Sequence, residues 1–61
     1  MPALIEALKD EDKWVRRRAA WALGENSDKS AITPLKEQLN GEQEGYVRTE
    51  LIEAIEKLEG N

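Results

Sequence analysis

The chain contains no cysteine and no histidine. The first absence rules out disulfides and thiolate metal sites; the second removes the commonest general base and metal ligand at neutral pH. Aromatics are scarce too, with two tryptophans, one tyrosine and no phenylalanine in 61 residues. The longest apolar run, Ala19 to Leu23, is five residues, far short of a spanning helix, so no membrane segment is expected. The opening "MPALIEALKDED" has neither a basic leader nor a long apolar stretch, and no signal peptide is expected. Basic charge is in the minority: 13 acidic side chains against 9 basic ones leave a formal charge of -4 and a pI near 4.7. Such a chain repels phosphate backbones, so nucleic acid is excluded as a partner class. A reducing compartment such as the cytosol is the expected location.

Carboxylates are what remain for chemistry. Asp10, Glu11 and Asp12 stand in a row, but the run lacks the glycine and the alternating oxygen ligands of a calcium loop. It reads as a solvated turn, and no metal or cofactor is expected. Size imposes a different requirement. A chain this short buries only roughly 60% of the surface exposed when unfolded, so it needs oligomerisation or very regular helix packing to be stable.

The apolar residues recur at helical spacing throughout. Leu4, Ile5 and Leu8 mark a first helix, and Asp12 is placed to cap the next by accepting an orphaned backbone N–H. The second helix carries Val15, Ala19, Ala22 and Leu23 at i, i+4, i+7 and i+8, predicting a core-facing stripe. It should end between Gly24 and Asn26, with Ser27 or Asp28 as the next cap. Ile32, Leu35 and Leu39 mark a third helix, where Pro34 is tolerable in the first turn. "NGEQEG" is a loop; Val47, Leu51, Ala54, Ile55 and Leu58 mark a fourth helix, and "EGN" closes the chain. Four helices leave no room for a sheet.

Laid over each other, the helices reveal a repeat. Leu4 and Leu8 match Leu35 and Leu39 at a shift of 31; Val15, Arg16, Ala22 and Leu23 match Val47, Arg48, Ala54 and Ile55 at a shift of 32. The chain is therefore two copies of a helix-turn-helix unit, residues 1–26 and 27–61, the signature of a solenoid. "PALIEALKDED", "VRRRAAWALGE" and "DKSAITPL" resemble the short HEAT-like repeats named after phycobilisome lyases, including engineered consensus versions. The resemblance implies an all-α, short right-handed α-solenoid, as an engineered or excised two-repeat fragment. The second unit, "YVRTELIEAIEKLEG", is looser and would suit a cap. Asn26 and Ser27 replace an apolar residue and a glycine usual in the family, and Lys13 replaces a frequent proline. Ankyrin and tetratricopeptide repeats fit less well: "TPL" at Thr33 has no second copy, and both tryptophans lie in the second helix of their unit. The resemblance also implies that Arg16 and its match Arg48 bind a turn aspartate, for which Asp28 is the candidate.

With the core stripe so assigned, Trp14, Arg18, Trp21 and Glu25 fall on a neighbouring stripe, flanked by Arg17. The matching positions of the second unit are Tyr46, Thr49, Glu50, Glu53 and Lys57. In HEAT-like solenoids these positions line the concave surface and engage partners, and tryptophan, tyrosine and arginine are the residues most enriched at binding hot spots. Trp14, Arg17, Arg18, Trp21, Glu25, Tyr46, Thr49, Glu50 and Glu53 are therefore the candidate protein-binding residues. The alternative is that the tryptophans lean over the small core with the arginine stems beside them.

The function expected is a non-catalytic, protein-binding or self-assembling module. A homo-oligomer, most simply a two-fold dimer, would place the basic Arg17–Arg18 strip of one copy against the acidic Glu50–Glu53 strip of another. The charges could instead pair within one chain, where exposed pairs contribute about 0–1 kcal/mol. A rival reading is a structural fragment, a minimal folding unit with no partner. Some HEAT-like proteins are bilin lyases, and a related di-iron hydroxylase uses repeated His-Glu motifs. Lacking histidine and cysteine, this chain has no residues for such metal chemistry, and bilin attachment has no evident support.

Overall fold

In a computed structural model that describes residues 2–60, the chain forms four α-helices: α1 (Pro2–Ala7), α2 (Lys13–Glu25), α3 (Ile32–Gly41) and α4 (Gly45–Gly60). A short 3-10 turn, Lys29–Ala31, leads into α3. Among the described residues there is no strand. Asp12 caps α2 as its position predicts, accepting from the backbone N–H of Trp14 at 2.8 Å. Asp28 does the same for the 3-10 turn, accepting from the N–H of Ser30 at 2.9 Å; hydrogen bonds from the Ser30 hydroxyl and N–H hold its carboxyl below the usual range. Pro34 lies in the first turn of α3. α4 runs through Glu59 and Gly60, which the sequence assigned to a closing tail; Asn61 lies outside the described residues.

The core joins one buried face of each helix. All five apolar positions expected on α4, Val47, Leu51, Ala54, Ile55 and Leu58, are buried, and with Leu8, Leu23 and Leu35 they enclose the centre. Each such leucine contributes about 1.5–3 kcal/mol over leaving it in water. α2 departs from expectation. Val15 is exposed and Ala22 half-buried, whereas Ala20 and Gly24 are buried beside Ala19 and Leu23. The reason is that α2 is packed from two sides. α1 covers one edge, and α4 approaches so closely on the other that its contact face replaces the outer half of the expected stripe.

That approach is set by two small residues. A Cβ built on Gly24 would lie 3.0 Å from both Cα and Cβ of Ala54. The two helices run parallel, because residues paired across them keep one offset: Trp14 beside Tyr46 and Glu25 beside Lys57 are both 32 apart.

The turns are tied together by one arginine and one glutamate. Arg16 donates from Nε to Glu42 Oε1 at 2.9 Å and from Nη2 to Oε2 at 3.0 Å. Its Nη1 reaches the carbonyls of Asp10 and Glu11, at 2.8 and 3.0 Å. The Glu42 carboxylate also accepts from Gln38 Nε2 at 3.1 Å and from the N–H of Glu44 at 3.2 Å. Arg48, the match of Arg16, binds the carbonyls of Leu39 and Glu42 at 3.1 and 2.8 Å. Both arginines therefore hold the turn that precedes their own helix. The partner expected for both was Asp28; Arg16 instead meets the Glu42 carboxylate, because Asp28 sits beyond the far end of α2 while Glu42 sits beside its first turn, and Arg48 binds backbone carbonyls. Glu42 is only 5% exposed. Burial pushes its carboxyl up, but the bonds from Arg16, Gln38 and Glu44 outweigh that and leave it below the ordinary glutamate value.

At Gly24, alanine would gain about 1 kcal/mol in helix propensity but meets backbone, and overpacking costs about 1–3 kcal/mol. Gly24→Ala is expected to lower the urea midpoint, while Gly41→Ala, whose Cβ meets nothing within 4 Å, leaves it level or raises it. Ser27, just past the end of α2, has φ 59°, a conformation that costs a side-chain-bearing residue about 1 kcal/mol or more. Ser27→Gly should raise the unfolding free energy by about half a kcal/mol or more, and the urea midpoint with it. Glu42→Ala leaves Arg16 without its carboxylate and is expected to cost about 3 kcal/mol at pH 7. A depressed folded-state carboxyl contributes stability above its unfolded value that is lost as pH falls through the folded one. Urea unfolding of the unmodified chain should therefore weaken below about pH 4.5, with a shallower pH dependence in Glu42→Ala.

Candidate protein-contact site

Parallel packing of α2 against α4 lines up their outward stripes residue by residue. Trp14 and Tyr46 lie with ring centroids 5.8 Å apart and planes tilted by 35°. Arg17 spans them, its Cζ 5.8 Å from the Trp14 centroid and 5.9 Å from that of Tyr46. Lys13 Nζ sits 5.3 Å from the Trp14 ring, an aromatic contact the sequence reading did not assign to it; its place one residue before Trp14 was the available signal. Cations over exposed rings contribute about 0.5–1 kcal/mol each. One turn on, Arg17 Nε is 3.5 Å from Glu50 Oε1. At the far end Lys57 bridges to Glu25, and the hydrogen bond that Lys57 donates to the Glu25 carboxylate is the main cause that raises the lysine above its usual value.

Trp14, Arg17, Arg18, Trp21 and Glu50 thus line one open groove. Tyr46 joins at its head through the ring pair; Glu25, paired with Lys57, lies outside the set that lines the groove. Thr49 and Glu53 are exposed on α4, outside the set that lines the groove. Arg17 pairs with Glu50 of its own chain, so that couple needs no second copy to be neutralised. The tryptophans do not complete the core: Trp14 is 51% exposed, Trp21 47% and Tyr46 61%.

No described group of three or more Asp, Glu, His or Cys side chains is placed to hold a metal ion. No described helix is long and apolar enough to cross a membrane. The residue sequence reasoning missed is Glu42, and the signal was present: at a shift of 32 it matches Asp10, as Glu44 matches Asp12. Asp10 accepts from the N–H of Asp12 at 2.9 Å, just as Glu42 accepts from that of Glu44. The longer side chain at position 42 can cap its own turn and still reach Arg16.

Among known proteins, the family model for HEAT repeats matches residues 1–56. The chain is also similar to an uncharacterized protein from the gldA 3' region of Geobacillus stearothermophilus, with 34% identity over 59 residues. That match takes in 95% of this chain and 27% of the relative, so the chain spans about a quarter of the relative's length. No solved structure matches it. Four helices in two matched hairpins, paired turn arginines and a family match over nearly the whole chain agree: this protein belongs to the HEAT repeat family.

Proposed function

We propose that the chain is a non-catalytic protein-contact module of two HEAT repeats, residues 1–26 and 27–61, that binds through the aromatic stripe of α2 and α4. The observation that carries this reading is the exposure of every aromatic side chain in the sequence, Trp14, Trp21 and Tyr46, on one side of a core complete without them. HEAT repeats serve as interaction or structural scaffolds, and this stripe has the composition of a hot spot. Arg17 already lies beside both rings and Glu50, an arrangement that lowers the ordering cost of association. Arg18 lines the groove, and Glu25, Thr49 and Glu53 form the outer rim.

The partner proposed for the stripe is a second copy in a two-fold dimer. A dimer buries the exposed rings of both copies and supplies the added burial that a chain of this length lacks. Binding rests on removal of apolar ring surface from water, about 25 cal/mol per Å² before association costs, and the charged rim fixes orientation.

Light scattering after size-exclusion chromatography over a hundredfold concentration range, with circular dichroism on the same samples, tests this. The unmodified chain is expected at dimer mass, and the double variant Trp14→Glu, Trp21→Glu at monomer mass with equal helicity. An unmodified chain that stays monomeric refutes self-association. A double variant that unfolds would instead show that the tryptophans hold the fold.

A further inference from the structure

α2 and α4 occupy matching places in the two repeats, so what α4 requires of its neighbour indicates what α2 would require of another. Glu50 and Ala54 of α4 touch α2, through Arg17 and Gly24 respectively. Val47 lies on the same face one turn earlier and, like Ala54, is shut off from solvent. At an offset of 32 these positions on α2 are Val15, Arg18 and Ala22. Val15 and Arg18 are exposed and Ala22 is half-buried. An apolar groove runs beside them between α1 and α2, lined by Leu4, Ala7, Val15, Arg18 and Ala19, with Trp14 at its rim.

The opposite side of the molecule differs. Positions Arg17, Ala20 and Gly24, which meet α4, correspond to Thr49, Ile52 and Glu56. Ala20 is fully buried and Ile52 is 41% exposed. Gly24 permits the 3.0 Å approach to Ala54, whereas its counterpart Glu56 is a long charged side chain in solvent. The outward face of α4 therefore cannot take the part that α2 takes inside the molecule.

We propose that the outward face of α1 and α2 is a docking surface for a further helix pair, of a kind defined by its side chains. The docking helix carries glycine against Ala22 and a carboxylate against Arg18. Glycine follows from Ala22 standing where Ala54 stands. The carboxylate follows from charge: Glu50 is met by Arg17, and Arg18 occupies the Glu50 place with the opposite sign. A second copy of this chain does not meet these requirements. Its α4 offers Thr49 and Glu56 where a carboxylate and glycine are needed, and its own α2 face brings another Arg18. This surface adjoins the stripe along α2 and shares Trp14 and Arg18 with its groove.

The full chain can be tested with a copy of residues 1–32 placed ahead of Pro2, so that the added hairpin falls on the proposed surface in cis. Two forms are made, one with arginine kept at the copied position 17 and one with Arg17→Glu there. Each is also combined with Arg18→Glu in the original unit. Urea unfolding is followed by circular dichroism, with light scattering on the same samples to separate stacking in cis from self-association. The glutamate form is expected to unfold in one transition, with an m-value about 1.5-fold that of the parent, following the added buried surface. Its midpoint should exceed that of the arginine form, and Arg18→Glu should invert the ranking. Unfolding in two steps, or a ranking that Arg18→Glu leaves unchanged, would overturn the proposal.

Discussion

The close approach of α2 and α4 at Gly24 and Ala54 is the constraint on which the rest of the structure depends. Two parallel helices this near can share a core only through small residues, and Gly24 on one side faces Ala54 on the other. The distance also sets the surface: because the axes are close, Trp14 reaches Tyr46 and Arg17 reaches Glu50. A wider separation would leave each ring alone in water. The glycine thus costs intrinsic helix propensity, about 1 kcal/mol, at a site where the contact it permits organises both the interior and the aromatic stripe.

A small core of mostly leucine and alanine has little reserve, and the Arg16–Glu42 pair supplies specificity that apolar packing lacks. Its bonds run from the turn before α2 to the turn before α4, joining residues 26 apart in sequence. Buried charge is a poor source of net stability. Here its desolvation is offset because both carboxylate oxygens are satisfied by Arg16, Gln38 and Glu44, and no described buried side-chain polar atom lacks a partner. The arrangement fixes how the repeats meet, since a slip of one turn would leave Glu42 buried without its guanidinium.

The repeat, the helices and the second-unit core were legible because they are properties of one helix at a time: spacing, caps and the periodicity of Val47, Leu51, Ala54 and Leu58. The exposure of the aromatics was legible too, since the apolar residues already accounted for a core without them. The rest depended on which side a neighbour approaches. Val15 and Ala22 satisfy the helical period as well as Ala20 and Gly24 do, and only the position of α4 decides between them. Arg16 was correctly read as structural from its match with Arg48, but its partner was misplaced. The resemblance pointed to an aspartate; the shift of 32 marks position 42 as the turn match of Asp10, but only the structure shows that a side chain one methylene longer reaches Arg16 across the joint.

The repeat offset also explains why the two flanks of the molecule are unlike. In a strictly repeating chain, each position on α2 and its counterpart on α4 would carry the same kind of side chain, and either flank could extend the stack. Here the pairs that match are Leu23 with Ile55 in the core, Ala22 with Ala54, and the turn-holding arginines. The pairs that diverge lie where the helices face outward or each other: Arg18 with Glu50, Gly24 with Glu56, Ala20 with Ile52. Divergence at those positions gives each flank its own charge and shape, so the internal joint can be tight while the outer flanks stay selective. Two repeats with identical flanks would polymerise by the same contact that holds them together; a glutamate in place of the packing glycine blocks that outcome without disturbing the core.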